Sequence, residues 1–147
     1  MSAPIAAFDF ILPTRVVFGV GAVKRLADEI EALGVRRPLL VTDKGLVACG
    51  VVEKVAGFLG RFEPRVFDGV EANPKDRNVA EGAAAYLEHA ADGVLAVGGG
   101  SPIDCAKSIA VLVANGRRKI KEFEGRDKPS KPLPPLVCVP TTAGTGS

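Results

Sequence analysis

The chain has 147 residues, 47% of them apolar and 24% charged, which is one domain's worth of sequence with enough apolar side chains for a core. A formal net charge of +2 argues against nucleic acid as the main partner, because phosphate-backbone binders carry a strong basic excess. No apolar run approaches membrane-spanning length, and the first residues lack the basic start and long apolar centre of a secretory signal, so no membrane partner and a cytoplasmic location are expected.

Taken in chain order, Arg15-Val16-Val17-Phe18-Gly19 reads as a short strand ending in a turn. Ala22, Val23, Leu26, Ala27, Ile30 and Leu33 then recur at helical spacing, with Gly34 as the C-terminal stop. Pro38 to Thr42 is a continuous apolar run, as in a strand buried on both faces. One helix is expected from about Lys44 to Leu59, with Val47, Val51, Val55 and Phe58 on one face. Arg65-Val66-Phe67 is the next short strand, Asn73-Pro74 marks a turn, and Val79, Ala83, Tyr86 and Leu87 give another helix. Val94 to Val97 forms a strand, and a helix runs from Pro102 to about Ala114. Gly116 to Pro135, rich in charge and proline, reads as a solvated connection with a short helical piece. Leu136 to Val139 is the last strand.

This alternation predicts an α/β fold with a doubly wound, mostly parallel, Rossmann-like sheet. Ligands of such sheets bind at the carboxyl ends of the strands. Asp43, Gly98–Pro102 and Thr141–Ser147 each lie just past an expected strand, so three separate segments are expected to converge on one edge.

Gly98-Gly99-Gly100-Ser101-Pro102 carries the clearest chemistry. A strand, three glycines and a helix start suit a phosphate: glycines let the backbone approach it, and the helix N-terminus attracts anionic oxygens. Ser101 is expected as the N-cap and Pro102 as the first helical residue. A tight strand-to-helix connection without a ligand is the alternative. Asp43 can accept hydrogen bonds from the adenosine ribose and would repel the additional phosphate of NADP, or it can cap the following helix. An acid that precedes the glycine loop departs from the usual fingerprint, in which it follows by about twenty residues. Thr141-Thr142-Ala143-Gly144-Thr145-Gly146-Ser147 offers hydroxyl donors and flexible glycines for phosphate, ribose or amide groups, or a helix-initiating turn.

Other features carry less. Gly19-Val20-Gly21 lacks the third glycine and the downstream acid of a dinucleotide fingerprint, and no Walker lysine follows a glycine loop. Cys49, Cys105 and Cys138 form no C-x-x-C pair, and Cys105 and Cys138 are expected to be buried small hydrophobes. The single histidine, His89, is expected to be solvated or capping, and one histidine cannot build a His-rich metal site.

Several segments together resemble the N-terminal region of the iron-containing (group III) alcohol dehydrogenases: Phe18-Gly-Val-Gly-Ala, Leu40-Val-Thr-Asp-Lys-Gly45, Asn73-Pro74, Gly98-Gly-Gly-Ser-Pro-Ile-Asp-Cys-Ala-Lys107, Phe123-Glu-Gly125 and Pro140-Thr-Thr-Ala-Gly-Thr-Gly-Ser147. Ser101 stands where related glycerol dehydrogenases carry lysine, and Asp104 where maleylacetate reductases lack an acid. The resemblance implies a nucleotide-binding domain over residues 1–147, followed in the family by a helical domain that is absent here. That domain holds iron, or another divalent metal, through one aspartate and three histidines, none of which lies in this chain. Family members pass hydride between an alcohol or aldehyde and NAD. By position, Gly98, Gly99, Gly100, Ser101 and Pro102 would cradle the pyrophosphate, Asp43 the ribose, and Asn73 the adenine end. Thr141, Thr142 and Thr145 would line the phosphate and nicotinamide side. Asp104 and Lys107 match the loop-helix junction, or pair with each other at i, i+3. A homodimer is left open, with the first strand pairing across it. Without the metal and the helical domain, the chain alone is expected to be inactive.

Two rivals stand beside this reading. One is a stand-alone nucleotide-binding module without chemistry, and the other is a folded interaction domain that binds no ligand.

Overall fold

The computed structural model describes residues 13–116, 119–124 and 129–147. Among these, four strands form one all-parallel sheet in the order β2-β1-β3-β4, with β1 at Pro38–Val41, β2 at Arg65–Phe67, β3 at Gly93–Gly98 and β4 at Leu136–Pro140. The order reverses direction after β2, so the connections run to both faces, as a doubly wound sheet requires. The helices are α1 (Leu26–Ala32), α2 (Lys44–Ala48), α3 (Val51–Gly57), α4 (Asp76–Glu88) and α5 (Gly100–Ala114), with short 3-10 turns at Ala22–Arg25 and Ile120–Phe123.

Period-two alternation in the central strands builds two cores at once. Leu39, Val41, Val94 and Ala96 face α4 and α5, packing with Val79, Ala83, Ile109 and Ala110. Leu40, Leu95 and Val97 face the other way, onto Leu26 and Ile30 of α1 and Val52 and Val55 of α3. Every residue of β1 and β3 is buried, whereas β2 is largely exposed. Asp92 fixes the entrance to both central strands, its carboxylate accepting the Arg36 and Arg37 backbone N–H groups at 2.8–3.0 Å.

Several local expectations change. Arg15–Phe18 forms no strand among the described residues. Its Phe18 is 98% exposed, because no neighbouring strand or helix offers a surface for the apolar side chains. The helix expected over Lys44–Leu59 is two helices, broken at Gly50, whose φ of 76° lies in the left-handed region. Cys138 is exposed, not buried, since it lies on β4 at the sheet edge, where a single neighbouring strand covers one side. Cys105 is buried in α5, and burial pushes its thiol up to about 12, so it holds its proton and is no nucleophile. His89 occupies the C-cap position of α4 only through its backbone N–H, which donates to the Ala85 carbonyl. Its side-chain Nε2 is buried and makes no hydrogen bond among the described residues, so that nitrogen is not solvated. Residues 117–118 and 125–128 of the charged connection, and with them Gly125 of the Phe123-Glu-Gly125 segment, lie outside the described residues.

Candidate functional site

Three strands deliver their loops to one edge of the sheet. At the end of β1, Asp43 takes an extended conformation and caps α2, its Oδ1 accepting the Leu46 N–H at 3.0 Å. Capping and cleft-lining therefore coexist in one carboxylate.

The end of β3 is set by glycine. Gly98 has a φ of 154°, and a Cβ placed there would meet Pro102 Cγ at 2.4 Å and Leu46 Cδ1 at 3.2 Å. Neither backbone nor space admits a side chain. The N-cap of α5 is Gly99, not Ser101, and the helix begins at Gly100 with Ser101 and Pro102 in its second and third positions. Pro102 remains within the first turn, where its missing N–H costs no helical bond. The first intrahelical bond runs from Ile103 N–H to the Gly99 carbonyl at 3.3 Å. The N–H groups of Gly100 and Ser101 thus lie at the positive end of a 15-residue helix, with no glycine side chain between them and a ligand.

β4 brings the third segment. Thr141 N–H donates to the Gly98 carbonyl at 2.9 Å, which locks the Thr141–Ser147 loop beside the glycines. A Cβ on Gly99 would lie 3.0 Å from Thr142 Oγ1, and one on Gly100 would lie 2.9 Å from Ser147 Oγ and 3.4 Å from Thr145 Cβ. The Ser147 hydroxyl donates to Asp104 Oδ2 at 3.3 Å, and Lys107 Nζ lies 3.9 Å from Asp104 Oδ1. Asp104 is exposed and pairs locally at i, i+3.

Between these segments opens a cleft of about 720 Å³, lined by Asp43, Gly99, Gly100, Ser101, Pro102 and Thr142 among others. Of the other expected site residues, Gly98 underlies its floor through Pro102, and Thr145 packs at Gly100. Thr141 and Asp104 lie beside the cleft and do not line it. Asn73 does not line it either: it is an exposed turn residue with a φ of 56°.

The opposite wall was missed from the sequence. Asp68, Gly69, Val70, Glu71 and Ala72, which follow β2, line the cleft together with Arg77, Asn78 and Glu81 of α4. Asp43 and Gly69 form an antiparallel bridge, so this loop sits against the acid that ends β1. Buried Asn78 holds it in place. Its Nδ2 donates to the Gly69 carbonyl at 2.9 Å, while its Oδ1 accepts the Lys75 N–H at 2.8 Å. Arg77 pairs with Glu71 at 2.5 Å, and that hydrogen bond holds the Glu71 carboxyl below the usual range. The signal was present, because Asp68 directly follows the strand Arg65–Phe67 as Asp43 follows the strand ending at Val41; its place beside Asp43 depends on the pairing of the two loops, which local spacing does not carry.

The family model for iron-containing alcohol dehydrogenase matches residues 13–147. The chain belongs to that family. The match is to the family's N-terminal region. It is 42% identical over 144 residues to 1,3-propanediol dehydrogenase of Klebsiella pneumoniae, covering 95% of this chain and 37% of that protein. A crystal structure of 1,3-propanediol oxidoreductase superposes with a TM-score of 0.89 at 40% identity, over 95% of this chain and 37% of that one. Sulfoacetaldehyde reductase from Bifidobacterium kashiwanohense, solved in complex with NAD+, superposes with a TM-score of 0.84 at 28% identity, again over 95% and 37%. The chain thus spans a little over a third of the length of the relatives it matches.

The donors around the cleft suit an anionic, phosphate-bearing ligand: glycine backbone, the N-terminus of a long helix and the Asp43 carboxylate line one space. The iron of the family's description does not fit the donors of this chain. Its sequence has one histidine, and among the described residues no three of His, Cys, Asp and Glu come together to hold a metal ion. No helix of the described residues is long and apolar enough to cross a membrane.

Proposed function

We propose that residues 1–147 are the NAD-binding domain of a metal-dependent alcohol dehydrogenase that passes hydride between an alcohol and NAD. One observation carries this reading: the loops after β1, β3 and β4 meet around a single cleft. The pyrophosphate rests on Gly98, Gly99, Gly100, Ser101 and Pro102, held by first-turn N–H groups and the α5 dipole. Asp43 accepts hydrogen bonds from the adenosine ribose. Thr142 and Thr145, with Thr141 locking their loop, serve the phosphate and nicotinamide side, and Asp104 steadies that loop through Ser147. Asn73 shapes the turn at the adenine end. NAD supplies the hydride-accepting nicotinamide carbon, and this chain binds and orients it. The metal and the rest of the alcohol pocket belong to sequence outside this chain, so the chain by itself transfers no hydride.

Titration calorimetry of the folded chain tests the reading. NAD is expected to bind, and NADP to bind at least tenfold more weakly. Absence of heat with NAD, in a sample whose circular dichroism shows an α/β fold, overturns the assignment.

A further inference from the structure

The wall of the cleft built after β2 carries a charge arrangement that the cofactor assignment does not use. Arg77 is, among the described residues, the only arginine lining the cleft. Arginine is the side chain that accommodates a ribose 2′-phosphate where NADP is bound, through a planar fork that matches phosphate oxygens. Here the fork is occupied. Arg77 Nη2 donates to Glu71 Oε1, and Glu81, one helical turn further along α4, adds a second negative charge toward the same guanidinium.

This pair lines the same cleft as Asp43, the acid assigned above to the ribose. The Asp43–Gly69 bridge puts the acid that ends β1 directly against the loop that carries Glu71. Asn78, in the first turn of α4 beside Arg77, ties that same loop through the Gly69 carbonyl. The arginine and the acid assigned to the ribose therefore line one cleft and are linked through one short segment, Gly69 to Glu71.

We propose that Glu71 is a cofactor-specificity residue: by pairing with Arg77 it withholds from a ribose 2′-phosphate the arginine that lines the cleft. The proposal rests on the NAD-binding reading above. Two physical effects act together. Asp43 repels the dianion directly. Glu71 occupies the guanidinium, since freeing Arg77 for a phosphate strands the Glu71 carboxylate beside two further negative charges. That leaves Lys44 as the other cation lining the cleft among the described residues.

Both partners of the pair are exposed, so their replacement leaves the core intact. Binding of NAD and NADP to the full chain is measured for the wild type, Glu71→Gln, Arg77→Gln and the double variant. Glu71→Gln is expected to tighten NADP about tenfold while leaving NAD within twofold, with the gain shrinking as salt is raised. Adding Arg77→Gln is expected to abolish the gain. Glu71→Ala, which removes the carboxylate by a different change of shape, is expected to behave as Glu71→Gln does. An unchanged NADP-to-NAD ratio in both Glu71 variants overturns the proposal, as does a gain that survives loss of Arg77, which would leave net charge alone as the cause. Failure of the wild type to bind NAD overturns the cofactor reading itself and this inference with it. Normal NAD binding with an unmoved ratio overturns this inference alone.

Discussion

At Gly98 the conformation and the space both exclude a side chain. A Cβ there would press into Pro102 and Leu46 from a backbone with φ of 154°, and the loop it anchors also receives the Thr141 N–H. Gly98→Ala is therefore expected to destabilise the chain by about 2–3 kcal/mol and to abolish NAD binding, measured by urea denaturation and calorimetry. Asp43 poses the opposite problem, because one carboxylate both caps α2 and lines the cleft. Asp43→Ser keeps a good cap, so stability is expected to stay within about 0.5 kcal/mol of wild type. NAD affinity is expected to fall about tenfold, since the charged acceptor proposed for the ribose is lost. If NAD affinity stays the same in Asp43→Ser, the side chain is a cap and nothing more. The acid and the glycine run were both legible as residues. That Asp43 performs two tasks was not, since capping and cleft-lining read identically from Thr-Asp-Lys-Gly.

The elements show where periodicity suffices and where it does not. The apolar spacing placed α1, α4 and α5 along the chain, because each buries one continuous stripe. It ran straight through Gly50, since Val47, Val51 and Val55 keep helical spacing across a residue whose left-handed backbone ends α2 and starts α3. Ser101 suits a cap by type, yet the helix begins one residue before it, with Gly99 as cap, where Thr142 Oγ1 lies a tight 3.0 Å from the position of a Cβ. The contact between α4 and α5 rests on another glycine. A Cβ on Gly82 would lie 2.3 Å from Cδ1 of Ile109, which is fully buried. Gly82→Ala is expected to cost about 1–3 kcal/mol by overpacking. Ile109→Val removes the colliding carbon, so in a double-mutant cycle it is expected to recover about 1 kcal/mol in the Gly82→Ala background. Additive effects would show that α4 shifts freely on α5.

Across the whole molecule, protection follows burial. β1 and β3 are enclosed by helices on both faces and by strands on both sides, whereas β2 and β4 each have one strand neighbour and exposed residues. Hydrogen exchange is therefore expected to be slowest at Leu40, Val41, Leu95 and Ala96, reporting global unfolding, and at least tenfold faster in β2. Uniform protection across the four strands would contradict that layering.

The parallel α/β architecture was determined by sequence alone, because unbroken apolar runs alternating with helical stripes have one economical solution, a sheet covered on both faces. The glycine loop and the acid at Asp43 were likewise legible as residues just past strand ends, which is where the cleft opens. Tertiary structure alone decided which residues face one another. The wall formed by Asp68, Glu71 and Arg77 follows a strand that was legible at Arg65–Phe67, yet it enters the site only through the Asp43–Gly69 bridge. Pairing between segments far apart in the chain leaves no trace in local spacing, because the partners meet only once the sheet has set their register.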